Sequence, residues 1–196
     1  MLIWINGTFG VGKTQAAHEL QRRLPGSIVS DPELPGLAIQ RMYPPPLRID
    51  FQDTPWWAPV ITEVLADLSA KHPGHVIVPM TLAHNERHAQ IMDGLRAAGC
   101  DIHQVTLLAE GDVVLRRLRS RLDSSRSWGA QQYAAVAPVL REPQFAPHLD
   151  TTSRSIAEVA DEIGRIVGVE LLPADPNPVR TAARRLRVKL SHIRPG

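Results

Sequence analysis

The chain has 196 residues, of which 43% are hydrophobic, and a formal net charge of +2. This length is enough for one domain with a buried core and leaves no room for a large second module. No apolar run is long enough to span a bilayer, and a single cysteine cannot form an internal disulfide. We therefore expect a cytoplasmic protein without a secretion signal.

The first predicted element is a strand over Leu2–Asn6, and a phosphate-binding motif follows it directly. Residues 7–14 read Gly-Thr-Phe-Gly-Val-Gly-Lys-Thr, which matches the pattern G-x-x-x-x-G-K-[ST] in full. The apolar spacing of the next residues predicts a helix from Gln15 to Leu24. The motif thus has the preceding strand and the following helix that it requires, and it predicts a nucleotide site.

Each residue type in the motif has a chemical role in binding phosphate. The three glycines allow backbone amides to turn toward phosphate oxygens at a helix N-terminus. Lys13 is expected to reach the β- and γ-phosphates and to act in catalysis, and Thr14 to ligate Mg²⁺. We therefore expect ATP and Mg²⁺ as ligands. The predicted nucleotide-binding residues of the loop are Gly7, Phe9, Gly10, Val11, Gly12, Lys13 and Thr14.

Four further predicted strands alternate with helices along the chain. The strands cover Ser27–Asp31, His75–Met80, Ile102–Leu108 and Phe145–Leu149. The helices are predicted from about Glu33, around Val60–Leu68, before Gly99, over Asp112–Leu122, over Gln131–Leu140 and after the capping-box residue Ser155. Five strands with helical crossovers predict a parallel sheet with helices on both faces, which is the three-layer α/β/α fold of P-loop proteins.

The second strand ends in an acidic residue, Asp31. At the carboxyl edge of a parallel sheet, Asp31 is placed to accept a proton from a substrate hydroxyl or to bind Mg²⁺ through water. Asp31 followed by Pro32 is also a good helix start, and the two interpretations are compatible. The third strand ends in Pro79-Met80-Thr81 without an acid, and Asn-Lys-x-Asp is absent. These absences argue against motor ATPases and signalling GTPases and favour a small kinase.

Candidate acceptor-binding residues follow the second strand. Gln52, Trp56 and Trp57 lie in the segment where small kinases hold the acceptor, and with Asp31 they form the predicted substrate set. Tryptophan faces there are suited to stack on a base or to line an apolar groove. Tryptophans are more often core residues, so a structural role stays open as the alternative.

An arginine-rich helix is the second feature typical of a kinase. Arg117 and Arg121 are four residues apart and share one helix face, so both are candidates for clamping the nucleotide and the transferring phosphoryl group. Arg116 and Arg119 are expected to point elsewhere. The polar stretch 123–127 has the composition of a lid tip. A solvated charged face is the alternative for the whole cluster.

The C-terminal segment is predicted to be a basic amphipathic helix over 176–196, beside a kinase-like domain over 1–175. Residues 179–196 carry six basic residues and no acidic one. Apolar residues recur there at helical spacing, namely Val179, Ala183, Leu186, Leu190 and Ile193. This stripe either lies on an anionic membrane surface or docks on the acidic body of the protein. The segment either belongs to the same domain or forms a surface tail. We expect no nucleic-acid partner for the protein.

Taken together, the motifs resemble the tunicamycin-resistance protein family of small phosphate-loop ATP-binding proteins. The resemblance rests on Ile3–Gly7 with the loop through Gln15, Asp31–Glu33, Asp50–Gln52, Ile77–Thr81, Leu115–Arg121 with Ser127-Trp128, and Val188–Leu190 with His192–Arg194. It implies a fold similar to nucleoside and nucleotide kinases, ATP binding, and a link to resistance against a lipid-tailed nucleoside antibiotic.

Two functions follow as predictions. The first is ATP-dependent phosphate transfer to a hydroxyl of a nucleoside-like small molecule, with Lys13, Asp31, Arg117 and Arg121 as the catalytic residues. The alternative is a nucleotide-gated protein that binds an amphipathic drug at the inner membrane surface without transferring phosphate. The missing acid after the third strand keeps this alternative open.

Overall fold

A parallel sheet of five strands forms the centre of the structure, a computed structural model that describes residues 1–119 and 125–191. The strands are β1 (Leu2–Gly7), β2 (Ile28–Val29), β3 (Val76–Pro79), β4 (Ile102–Leu108) and β5 (His148–Asp150). Their order is β2-β3-β1-β4-β5, so β1 is central and pairs with β3 and β4. This order brings the ends of β1 and β3 together at one edge of the sheet.

Helices cover both faces of the sheet. They are α1 (Lys13–Arg23), α2 (Glu33–Met42), α3 (Trp57–Lys71), α4 (Asn85–Ala97), α5 (Gly111–Arg119), α6 (Ser125–Val139), α7 (Ile156–Val167) and α8 (Pro178–Ser191). Successive residues of β1 face opposite sides, so Ile3 and Ile5 pack with α1 and α7, while Leu2 and Trp4 pack with α3 and α4. The three-layer α/β/α prediction is confirmed.

The segment before β5 differs from its prediction. Residues Pro143–Phe145 form a 3₁₀ turn, and the strand begins three residues later than expected, at His148. Proline at 143 and 147 cannot donate a ladder hydrogen bond, which keeps this stretch out of the sheet. Phe145 is buried against the ring of His88, with 4.6 Å between centroids. Its apolar character therefore reflects packing of an irregular segment.

Helix α8 packs along α1 in the opposite direction. Leu172, before α8, exchanges hydrogen bonds with Arg23 at the end of α1, and Gln15 near the start of α1 donates to the carbonyl of Arg185 at 3.2 Å. The half-buried residues of α8 are Thr181, Arg184, Arg185 and Val188, so this face is mainly polar or basic. The C-terminal part of α8 therefore reaches the level of the phosphate-binding loop.

The apolar stripe of α8 points away from the body. Val179 is 75% exposed and Leu186 is 53% exposed, and Ala183 is exposed as well. The prediction that this stripe docks on the protein body is wrong for these three residues, because α8 contacts α1 through its opposite face. The side chain of Leu190 and the whole of Ile193 lie outside the described part. No helix in the described ranges is long and apolar enough to cross a membrane.

Candidate functional site

The phosphate-binding loop connects β1 to α1 with a backbone that requires glycine. Gly7 and Gly10 have φ angles of 141° and 81°. A Cβ at Gly7 would lie 2.6 Å from the carbonyl oxygen of Leu107, and one at Gly10 would lie 2.8 Å from Cγ of Leu118. The loop is thus pressed against β4 and α5. At the N-cap, Gly12 has no side chain to bond the first amides of α1, which leaves them suited to an anion.

Lys13 lies inside the loop and is only 8% exposed. Its Nζ donates to the carbonyl oxygens of Gly7 and Thr8, both at 2.9 Å, and to Oγ1 of Thr81 at 2.7 Å. It also lies 5.4 Å from the centroid of the Phe9 ring, within range of a cation–π contact. These three acceptors are uncharged, and Lys13 places a largely buried ammonium group where the motif holds phosphates.

Asn6 joins the loop to the segment after β3. Its Oδ1 accepts hydrogen bonds from the backbone amides of Gly7 and Leu82, and its Nδ2 donates to the carbonyl of Leu82. The side chain is fully buried. Met80 also donates its amide to the carbonyl of Ile5 at 3.1 Å. These bonds hold residues 80–82 beside the loop and set the position of Thr81.

Two hydroxyl groups in the loop fit ligands of the expected kind. Thr14 is half-exposed in the first turn of α1, and a hydroxyl oxygen is a ligand type that Mg²⁺ accepts. Oγ1 of Thr8 is buried and has no hydrogen-bond partner among the described residues. A buried hydroxyl without a partner is costly, so a phosphate oxygen there would relieve a local cost. The loop residues therefore fit a Mg²⁺–nucleotide complex.

Asp31 follows β2 at the carboxyl edge of the sheet. Its Oδ1 accepts a hydrogen bond from the amide of Glu33 at 2.9 Å, and its carbonyl accepts from Leu34. This is the helix-capping role that the sequence allowed, although α2 begins at Glu33, one residue later than the Asp-Pro pattern implies. The carboxylate is half-buried. This hydrogen bond fixes the orientation of the carboxylate at the start of α2.

The two neighbouring tryptophans occupy different environments. Trp57 is 0% exposed, donates from Nε1 to the carbonyl of Pro32 at 2.9 Å, and packs 5.5 Å from the Phe51 ring. The prediction that Trp57 stacks on a substrate is therefore wrong, because its faces are covered by the core. Trp56 is 61% exposed and Gln52 is half-buried. Both remain accessible on the segment that precedes α3.

Arg117 of α5 reaches the phosphate-binding loop. Its Nη1 donates to the carbonyl of Val11 at 3.3 Å and to Oγ1 of Thr151 at 3.2 Å, and its Nη2 donates to the carbonyl of Thr151 at 2.8 Å. Burial lowers the pKa of this guanidinium, and the neighbouring charge of Arg116 lowers it further. In this structure Arg117 ties the loop to the segment after β5.

The other arginines of α5 point away from the loop. Arg116 is exposed, with its Nη1 3.6 Å from Oδ2 of Asp112, and Arg119 is exposed as well. Arg121, predicted as the second clamp residue, and residues 123 and 124 of the lid tip lie outside the described part of the chain. Among the described arginines of α5, Arg117 therefore contacts the loop, whereas Arg116 and Arg119 lie on the surface.

Three site residues were missing from the sequence-based set, namely Asn6, Thr81 and Thr151. The hydroxyl of Thr151 lies within donating distance of the carbonyls of Val11 and Leu108, so it links the phosphate-binding loop to the end of β4. Each of the three lies at or just after the carboxyl end of a strand, β1, β3 or β5. Ligands of open parallel sheets bind at that edge, so polar residues after predicted strands were an available signal.

Fold and site together define a P-loop protein of the kinase-like class. A family model described as an AAA domain matches residues 2–142. The solved tunicamycin resistance protein of Deinococcus radiodurans is 36% identical, covers 88% of this chain and 99% of its own, and superposes with a TM-score of 0.75. The chain belongs to the tunicamycin-resistance family of P-loop proteins.

More distant solved structures share the fold. The APS kinase of Mycobacterium tuberculosis, solved with AMPPNP and APS, is 19% identical, covers 85% of this chain and 96% of its own, and has a TM-score of 0.62. A gluconokinase from Sinorhizobium meliloti is 18% identical, covers 85% and 90%, and has a TM-score of 0.59. A search of curated proteins gave no match. At these identities the likeness establishes the kinase-like fold alone.

Proposed function

We propose that this protein is an ATP-dependent phosphotransferase whose acceptor is a hydroxyl of a nucleoside-like small molecule of the tunicamycin type. The observation that carries the proposal is the buried ammonium group of Lys13 inside a glycine loop, at the same sheet edge as Asp31. Two strand spacings separate the ends of β1 and β2, a distance of roughly 10 Å. That separation leaves room for a phosphate and an attacking hydroxyl.

In this mechanism the chain positions both substrates and adds little covalent chemistry of its own. The loop amides and Lys13 hold the β- and γ-phosphates of ATP. Thr14 would hold Mg²⁺, with Asp31 as an outer ligand through water if Asp31 does not act as the base, and the metal would neutralise phosphate charge. Asp31 accepts the proton of the acceptor hydroxyl, while Gln52 and Trp56 contact the acceptor. Arg117, and Arg121 four residues further along the chain, stabilise charge on the transferring group.

The test is a mass-spectrometric screen of nucleosides and nucleoside antibiotics with ATP and Mg²⁺. We expect a gain of one phosphate on an acceptor, dependent on ATP, and loss of that gain in Lys13→Ala. Lys71→Ala is the matched control, because Lys71 is exposed and pairs with Asp67 on its own helix. Transfer that survives in Lys13→Ala would contradict the assignment of the loop as the donor site.

A second proposal is that α8 contacts a membrane surface. Such contact is also compatible with the alternative function, a nucleotide-gated drug-binding protein. The observation that favours it is the outward apolar stripe of α8, flanked by the basic residues Arg180 and Arg187. An interfacial helix gains free energy from apolar burial and from attraction to anionic lipid. We propose that α8 places the protein peripherally on the inner face of an anionic membrane.

Sedimentation with anionic vesicles tests this second proposal. The full chain should co-pellet at low salt and release as salt rises, and deletion of 179–196 should abolish pelleting. The double variant Val179→Ser and Leu186→Ser should weaken pelleting, whereas Leu172→Ser, at a similarly exposed leucine outside α8, should not. Equal pelleting of all forms would exclude α8 as the anchor.

A further inference from the structure

Thr81 occupies the position where many P-loop proteins carry an acid, at the end of the strand beside β1. Its hydroxyl accepts the shortest of the three hydrogen bonds from Lys13, at 2.7 Å. The residue is only 3% exposed, and the bonds of Asn6 to Leu82 and of Met80 to Ile5 hold its backbone in place. The contact therefore joins the segment after β3 to the ammonium group of the loop.

A hydroxyl and a carboxylate have different effects on a buried lysine. A carboxylate would neutralise Lys13 and repel the incoming phosphates, whereas a hydroxyl orients the ammonium group and leaves its charge for the ligand. The hydroxyl of Thr81 also keeps its own proton when it accepts from Lys13. This proton can be donated to a further oxygen, such as that of a phosphate.

We propose that Thr81 is the positioning residue for Lys13, which keeps the ammonium group directed at the β- and γ-phosphates both before and after nucleotide binding. The proposal rests on the proposed nucleotide site and deepens it. Two of the three bonds of Lys13 run to the carbonyls of Gly7 and Thr8, within the loop itself. The bond to Thr81 comes from outside the loop, so it can hold Lys13 independently of the loop backbone.

Calorimetry of ATP and AMP binding, without any acceptor, tests the proposal. Thr81→Val should raise the Kd for ATP about tenfold, the value expected for one lost hydrogen bond to a charged group. The Kd for AMP should stay unchanged, because AMP lacks the phosphates that Lys13 reaches. Thr81→Ser keeps the hydroxyl and should restore the affinity for ATP to within about twofold of the original protein.

Thr106→Val is the matched control for loss of a buried hydroxyl. Thr106 is fully buried in β4 and donates to the carbonyl of Phe145, away from Lys13. The Thr106→Val substitution should lower the thermal stability without changing the ratio of ATP affinity to AMP affinity. An unchanged or tighter Kd for ATP in Thr81→Val, or equal losses for ATP and AMP, would overturn the positioning role. Failure of the unsubstituted protein to bind ATP would instead contradict the proposed function.

Discussion

At the level of single residues, the site places the buried ammonium group of Lys13 and the carboxylate of Asp31 at one edge of the sheet. Lys13 has hydrogen bonds to two carbonyls and one hydroxyl, while Asp31 caps α2 at the end of β2. We propose Asp31 as the general base, and its hydrogen bond to the amide of Glu33 holds the carboxylate in one orientation.

Asp31→Asn separates the two roles of this residue. The amide oxygen of asparagine still caps the helix, so folding and ATP affinity should change little. The rate of phosphate transfer should fall by about 10²- to 10⁴-fold, the usual contribution of a general base. Single-turnover kinetics and calorimetry on the same preparation measure both quantities. Full turnover in the variant would reduce Asp31 to its capping role.

Arg117→Ala should be damaging, and Arg116→Ala should be nearly silent. Removal of Arg117 deprives the carbonyls of Val11 and Thr151 of a charged donor, and it removes a group suited to the transition state. We expect kcat to fall roughly tenfold to a hundredfold, with a smaller rise in KM. Arg116 forms an exposed pair with Asp112, which contributes at most about 1 kcal/mol.

Steady-state kinetics of the two variants, with ATP varied, decide between these roles. A larger loss in Arg116→Ala than in Arg117→Ala would mean that α5 presents its other face to the nucleotide. A rise in KM for ATP without loss of kcat would leave Arg117 as a support for the loop only.

At the level of elements, α4 and β4 share a buried polar contact that responds to pH. His88 of α4 donates from Nε2 to Oε1 of Gln104 at 2.5 Å, and Gln104 donates in turn to the carbonyl of Gln144 before β5. Burial lowers the pKa of His88, and the hydrogen bond to Gln104 opposes this effect only in part. The folded protein therefore disfavours the charged imidazolium at this position.

The sign of the pH effect follows from the lowered pKa. The unfolded state takes up the proton first as the pH falls through about 6.5, so the folded state loses stability below that value. His88→Gln keeps a hydrogen-bond donor and removes the titrating imidazole. Between pH 7.5 and 5.5, about one unit to either side of the usual histidine pKa, the unfolding free energy of this variant should therefore fall less than that of the original protein. Urea unfolding of both proteins, with surface His103→Gln as the control, provides the measurement. Equal pH slopes for the original protein and His88→Gln would contradict the prediction.

At the level of the whole molecule, several elements distant along the chain hold the phosphate-binding loop. The loop is held by β4 and α5 at its glycines, by the segment after β3 through Asn6, and by the segment after β5 through Thr151. A ligand bound at such a junction should stabilise the fold as a unit, because binding to the native state alone shifts the unfolding equilibrium.

ATP with Mg²⁺ should therefore raise the melting temperature. At a ligand concentration of about 100 times Kd the stabilisation is about 2.7 kcal/mol, which corresponds to roughly 5–11 °C for a domain of this size. Differential scanning fluorimetry measures the shift. Lys13→Ala should show little or none of it at the same ATP concentration, and an equal shift in that variant would contradict a site built on Lys13.

The loop and the five-strand architecture were predictable, because both depend on short-range patterns. The residues from Gly7 to Thr14 are contiguous, and alternating strands and helices imply a parallel sheet. The partners of the loop were not predictable in the same way, since Thr81 and Thr151 are distant along the chain. The start of β5 was misplaced because Phe145 is apolar for its packing on His88, and that packing partner lies on α4.

The sequence by itself determined the chemistry of the loop, the fold class and the amphipathic pattern of the C-terminal helix, since each follows from local spacing and residue type. Tertiary structure alone decided which side of each pattern is used. Trp57 is buried while Trp56 is exposed, and Val179 and Leu186 of α8 face solvent while the opposite face of the helix contacts α1. Periodicity marks the faces of a helix, but only the neighbours that pack against it determine which face is covered.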